Sequence, residues 1–217
     1  MWALRECMQV QRSEKGGCEL MANNMNILLV GVGGQGTILA SKILTYAALS
    51  QGYAVKMSEI HGMAQRGGSV VTQVRLGEHI DSPVIDEGEA DMIVAFEQLE
   101  AYRWAHYLKG GGVLIVNTQK IVPLPVLIGL AVYPDNIIHR LREKVSRVVE
   151  VDGLRLAAEA GNARATNVVL VGILARFMDF PQEVWQEALK ARIPEKLLEL
   201  NKKAFTLGYD YPGVVAI

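Results

Sequence analysis

The chain has 217 residues, half of them hydrophobic and 21% charged. That is the balance of one globular domain with a core, with room for a modest appendage, and not of a disordered chain. Twenty-two basic and 23 acidic side chains leave a formal net charge of −1, which argues against a dedicated nucleic-acid binder while leaving a local basic patch open. Residues 1–24 lack any hydrophobic period and mix charges with Gly16, Gly17, Asn23 and Asn24. They read as a disordered tail, with Met21 and Met25 as alternative starts and a docking arm as a second reading. The tail holds both cysteines, Cys7 and Cys18. Two thiols cannot by themselves hold an iron–sulfur cluster, which commonly takes four. They read as free thiols of a cytoplasmic protein, the alternative being a disulfide within the tail. No signal peptide is read at the N-terminus, which has Arg5, Glu6, Arg12, Glu14 and Lys15 where an apolar stretch is needed. The longest apolar stretches, 121–132 and 168–175, fall short of the roughly 20 residues a bilayer demands, and Pro123 and Pro125 break the first.

The folded domain is expected over residues 25–210, with 211–217 as a C-terminal tail. Ile27 to Val30 is an unbroken apolar run, the pattern of a strand buried on both faces. Gly31 to Gly36 is a glycine-rich turn. A helix follows from Thr37 to Ser50, with Ile38, Ile43, Leu44 and Ala47 or Ala48 able to face a core, and Gln51-Gly52 ends it. Tyr53 to Met57 reads as a strand, Ser58 to Gly68 as a polar loop, and Val70 to Leu76 as an alternating strand. Ser82 to Ile85 reads as a short edge piece and Met92 to Phe96 as a strong strand. A helix from Glu97 to Leu108 is expected to stop at Gly110-Gly111-Gly112, before a strand from Val113 to Val116.

The stretch from Ile121 to Pro134 has no assigned structure. Asn136 to Lys144 reads as a helix, Val148 to Val151 as a strand, and Leu154 to Ala160 as a short helix. Thr166 to Met178 is apolar on nearly every side and so should be a buried helix. Amphipathic helices from Gln182 to Ala191 and Glu195 to Leu207 close the chain, with Pro181 and Pro194 near their starts. The order predicts an α/β fold: three layers, a mostly parallel Rossmann-like sheet with helices on both faces, and a helical C-terminus. The segments near Val70 and Val84 point to a local departure from βαβ order.

Gly31-Val32-Gly33-Gly34-Gln35-Gly36 fits GxGxxG between a strand and a helix. Glycines there let backbone N–H groups approach an anion, and the helix N-terminus favours phosphate. Glu59, 23 residues past Gly36, stands where a dinucleotide-binding protein places its ribose acid. Three readings stay open at this point: a dinucleotide site, a tight turn without ligand, and a site for another phosphate-bearing ligand or a neighbouring subunit's cofactor. The second loop carries His61, Arg66, Gly67 and Gly68. If its strand runs parallel to the first, it leaves the sheet edge where open α/β sheets bind ligands, as do Phe96-Glu97 and Asn117-Thr118. Arg66 suits phosphate or carboxylate, or a surface ion pair with an acid such as Glu59. His61 reads as a proton carrier or as a packing residue. His79, His106 and His139 show no ligand spacing, and Glu100 and Arg103 read as an i,i+3 surface pair.

The segment Asn26 to Gly36 resembles the opening of the gamma-type subunits of 2-oxoacid:ferredoxin oxidoreductases. Ser58 to Val70, with its His-Gly-Met-Ala-Gln-Arg-Gly-Gly run, is similar to the beta subunit of the indolepyruvate branch in particular. Gly88 to Asp91, Phe96-Glu97 and Gly161 through Asn167 are also similar, so the resemblance covers about residues 25–210. It implies oxidative decarboxylation of an aryl pyruvate such as indolepyruvate, with the acyl group passed to coenzyme A and two electrons to ferredoxin. It further implies that thiamine diphosphate, magnesium and 4Fe–4S clusters sit in a larger alpha subunit, and that this chain binds no cofactor firmly and is inactive alone. On this reading Gly31, Gly33, Gly34, Gln35 and Gly36, with Glu59, His61, Arg66, Gly67 and Gly68, lie near coenzyme A or the subunit contact. No residue of the chain is singled out as catalytic. A homodimer of the isolated chain stays open, because a partner-facing apolar patch can self-associate. So do an NAD-binding protein and a ligand-free interaction subunit as alternative functions.

Overall fold

In the computed structural model, which describes residues 24–62 and 67–214, the apolar run at the start becomes β1 (Met25–Val32), buried from Ile27 onward. Its side chains alternate between two cores: Ile27 and Leu29 enter one, Leu28 and Val30 the other. A strand buried on both faces needs a layer on each side, and the rest of the chain supplies both.

Six strands form one sheet in the order β2-β3-β1-β4-β5-β6. The others are β2 (Ala54–His61), β3 (Ser69–Gly77), β4 (Ala90–Ala95), β5 (Leu108–Asn117) and β6 (Val148–Val151). β1, β4, β5 and β6 pair in parallel. β3 is antiparallel to both β1 and β2, so β2 runs in the direction of β1 without touching it. The mostly parallel three-layer sheet expected from the sequence is therefore present, and β3 is the local departure anticipated near Val70.

The larger core lies under α1 (Thr37–Ser50), α5 (Gly153–Ala160), α6 (Thr166–Ala175), α7 (Gln182–Arg192) and α8 (Glu195–Tyr209). The smaller lies under α2 (Gln98–Trp104) and α4 (Ile137–Lys144). All ten residues of α6 are buried, as its all-round apolarity requires. It meets α8 backbone to backbone: a Cβ placed on Gly208 would overlap the Val169 carbonyl oxygen, and one on Gly172 would overlap that of Phe205. Beyond α8, Tyr211 donates from its hydroxyl to Glu150 O at 2.9 Å and Val214 packs against the larger core.

The structure corrects several sequence expectations. Ser58 to His61 belong to β2, pairing with Gln73 to Val70, and not to a loop. β2 is an edge strand with no fully buried residue, so it lacks the apolar signature that marks interior strands. Ser82 to Ile85 is no strand: side chains hold it, with Arg75 Nη1 donating to Ser82 O and Val84 O, and Gln73 Oε1 accepting from Ile85 N at 2.7 Å. The helix after Phe96 ends at Trp104 and tightens into a 3₁₀ turn through Tyr107. Gly110 to Gly112 then lie inside β5, where the register against β4 shifts, because extra residues in one strand are taken up by a glycine bulge. Ile38 does not join the core; it is 46% exposed. The unassigned stretch contains only the one-turn α3 (Leu124–Leu127). Residues 1–23, with Cys7 and Cys18, lie outside the described residues, as does Arg66.

Candidate functional site

The first helix crosses from β1 on one face of the sheet, and α2 leads from β4 to β5 on the other. The chain therefore diverges between β1 and β4, and a crevice opens beyond their C-terminal ends, the place where open α/β sheets take ligands. The glycine loop sits in that crevice. Its backbone is bonded to the second loop through Gly33 N–H, which donates to Gly68 O at 2.8 Å. The two sequence motifs are thus neighbours, as their shared sheet edge predicted.

Gln35 is the centre of the crevice. The last backbone rung between β1 and β4 is Phe96 N to Val30 O, 2.8 Å. In a parallel ladder the next rung would run from Val32 N to Phe96 O. The Gln35 carboxamide takes that place: Oε1 accepts from Val32 N at 2.7 Å and Nε2 donates to Phe96 O at 2.8 Å and to Gln119 Oε1 at 3.0 Å. The amide keeps both backbone groups satisfied while the strands part. Gly31 makes this possible, since a Cβ there would stand 3.0 Å from both Gln35 Oε1 and Phe96 Cβ.

Gly36 ends the loop at φ 81°, in the left-handed region that favours glycine. A Cβ on it would lie 2.6 Å from Asn167 Nδ2; that side chain, from the first turn of α6, donates to Gly36 O at 3.3 Å. Among the described residues the first turn of α1 has no side-chain cap and no acidic residue, and its helix field favours an anion. Beside it a cleft of about 430 Å³ is lined by Gly33, Gly34, Gly36, Thr37, Ile38, Glu59, His61 and Val70. A second hollow of about 290 Å³ on the other side of the loop includes Gly34, Gln35, Gln119 and Arg164. A roomier one of about 600 Å³ lies at the opposite edge, around Tyr102, His106 and Gly110. It lies at the start of β5, and Lys109 there is already paired with Asp91.

Polar residues just past the strand ends lock this edge. Asn117, fully buried, donates to Phe96 O and accepts from Gly153 N, both at 3.0 Å. Glu97, 1% exposed, accepts from Glu100 N, Ile121 N and the Tyr133 hydroxyl. Burial first, and then this bond to a carboxylate, push the Tyr133 phenol well above the usual tyrosine range. Glu100 is not the surface partner expected: it is buried, accepting from Ser69 Oγ and Arg103 Nη1 at 2.6 Å each. It thereby fastens the end of the second loop to α2. The roles of Glu97, Glu100, Gln119 and Asn167 were not legible beforehand. Their only signal is a polar residue placed within two residues of a strand end or in the first turn of a helix.

The geometry does not fit the dinucleotide reading. The ribose acid of such a site stands on the strand next to β1, but β3 intervenes between β1 and Glu59 on β2. Two strand spacings, about 10 Å, separate that carboxylate's strand from the glycine strand. Glu59 instead shares the cleft with His61, which is exposed, its Nδ1 3.2 Å from Gly62 O. The sequence has two cysteines, and among the described residues no three His, Cys, Asp or Glu side chains gather to hold a metal ion. No helix among the described residues is long and apolar enough to cross a membrane.

An open, mostly parallel sheet with helices on both faces and a glycine-lined cleft at its switch point defines a Rossmann-like α/β domain. Residues 26–211 match the family of pyruvate ferredoxin/flavodoxin oxidoreductases, and the chain belongs to it. It is similar to the indolepyruvate oxidoreductase subunit IorB of Pyrococcus horikoshii, 42% identical over 84% of this chain and 93% of that subunit. Among solved structures it is similar to the gamma subunit of a keto/oxoacid ferredoxin oxidoreductase from Geobacter sulfurreducens, with 26% identity, a TM-score of 0.63, and 85% and 96% of the two chains covered. The same fold occupies 30% of a longer chain in 2-oxoglutarate:ferredoxin oxidoreductase from Magnetococcus marinus, covering 86% of this one at a TM-score of 0.66 and 21% identity. The family resemblance read from Asn26 to Gly36 is borne out.

Proposed function

We propose that this chain is the cluster-free subunit of a cytoplasmic indolepyruvate:ferredoxin oxidoreductase, which completes an active site held mainly by a larger alpha subunit. The observation that carries the reading is 42% identity sustained over 93% of a subunit named for that activity. The reaction joins a 2-oxoacid and coenzyme A into an acyl-coenzyme A, releasing carbon dioxide and sending two electrons to ferredoxin. Thiamine diphosphate with magnesium supplies the carbon–carbon bond cleavage, and 4Fe–4S clusters carry the electrons; both belong to the partner on this reading, since two cysteines fall short of the usual four.

This chain's part is to bind and to shield. The uncapped N-terminus of α1 faces the phosphates of coenzyme A, with Gly33, Gly34 and Gly36 letting them come close. Glu59 and His61 line the same cleft, and Gly68, at the described end of the second loop, is bonded to Gly33; Arg66 of that loop is the cation this reading assigns to the coenzyme A phosphates, with Gly67 and Gly68 beside it in the sequence. The test is reconstitution: the chain is mixed anaerobically with a thiamine- and cluster-bearing alpha subunit, and coenzyme A-dependent ferredoxin reduction by indolepyruvate is followed. Activity is expected only with both subunits present. No complex and no activity with a partner proven competent would refute the reading.

A further inference from the structure

Between Lys120 and Asp135 the chain has no charged residue. Six of its side chains there are exposed apolar ones: Val122 42%, Leu124 66%, Leu127 69%, Ile128 59%, Leu130 79% and Val132 87%. They account for six of the thirteen exposed large hydrophobic residues among the described ones, within eleven consecutive positions. With roughly 160–185 Å² for a fully exposed Val, Leu or Ile, they leave about 700 Å² open, above the ~300–600 Å² of the largest patch on an ordinary monomer and near the ~800 Å² each partner gives to a stable interface.

The loop is built and not loose. Its two ends are pinned by one carboxylate oxygen: Glu97 Oε1 accepts from Ile121 N at 3.0 Å and from the Tyr133 hydroxyl at 2.6 Å. Between them, Leu127 N bonds Pro123 O, Ile128 N bonds Leu124 O, and Leu130 N bonds Pro125 O. An apolar surface displayed on an internally bonded turn loses little entropy on binding. It also adjoins the site, because Gln119, two residues before Ile121, meets the Gln35 amide.

We propose that the loop 121–133 is the hydrophobic dock that seats the larger thiamine-bearing subunit, inserting into an apolar cleft of that partner; the inference rests on the function proposed above. The position favours that occupant over a second copy. A copy on this loop would bring together two glycine edges, neither with cofactor ligands, whereas the larger subunit would bring the reaction centre to the cleft. In the Magnetococcus enzyme this fold is already one part of a longer chain.

The test uses the full chain and the alpha subunit, with complex formation measured by calorimetry. The double variant Leu127→Glu/Leu130→Glu is compared with Leu49→Glu, another exposed leucine (57%) at the far end of α1. The loop variant is expected to weaken Kd about a hundredfold or more at unchanged Tm, and Leu49→Glu by less than about threefold. Equal affinity for wild type and loop variant in a stable complex would overturn the dock and leave the function standing. A wild-type homodimer that the loop variant dissolves, with partner affinity retained, would also overturn it in favour of a second copy. A wild type that binds no competent partner would instead refute the proposed function, and the dock would fall with it.

Discussion

Replacing Gln35 by Ala tests whether its amide stands in for a missing rung of the sheet. The substitution leaves Val32 N–H, in a residue 6% exposed, without its acceptor at 2.7 Å, which costs about 1–3 kcal/mol for a buried unpaired donor. Phe96 O loses less, about 0.5–1 kcal/mol, because Asn117 Nδ2 still donates to it at 3.0 Å. A total of about 2–3 kcal/mol lowers Tm by roughly 5–10 °C in a domain of this size. The Gln35→Glu variant separates hydrogen bonding from volume. It keeps an acceptor for Val32 N but turns an ionised oxygen toward Phe96 O and Gln119 Oε1, so its carboxyl should titrate above the usual range. A group with its folded-state pKa raised stabilises while protonated, so this variant should regain stability relative to wild type as pH falls from 7 toward about 5. Thermal melts followed by circular dichroism read both effects. An alanine variant melting within about 1 °C of wild type, or a glutamate variant without that pH trend, would refute the surrogate rung.

Three further outcomes follow. Arg66→Ala in the reconstituted complex should raise the KM for coenzyme A about tenfold with the complex intact; unchanged kinetics would rule Arg66 out of coenzyme A binding. Gly208→Ala should cost about 3 kcal/mol in urea denaturation, the upper end for overpacking, because its methyl meets the Val169 carbonyl and not a movable side chain. Tyr133, held protonated in the folded chain above its ordinary value of 10.0, contributes stability that is complete below that pH and is lost progressively as pH rises from there toward its raised value. Wild-type stability should therefore fall above pH 10, and Tyr133→Phe should flatten the fall; parallel curves in urea would show that the phenol does not contribute.

Much of this molecule follows from local chemistry. The buried run at Ile27, the glycine turn and the all-apolar α6 were legible because period and turn residues are local properties. So was the shared edge of the two loops, since a helical crossover returns the chain in the same strand direction. β2 beyond Met57 was not legible: an edge strand carries polar residues, and only its ladder to β3 makes it a strand. The insertion of β3 between β1 and β2 decided against the dinucleotide site, because a sequence distance from Gly36 to Glu59 does not say which strands lie side by side.

The sequence by itself determined the fold class, the glycine edge and the family, because these rest on residue patterns within one segment. Tertiary structure alone decided that Gln35 bridges two parting strands, that Glu100 is buried under Ser69, and that one oxygen of Glu97 closes a loop between Ile121 and Tyr133. Each joins residues from separate segments, and their energies come from burial and hydrogen-bond geometry that exist only once the sheet has brought those segments together.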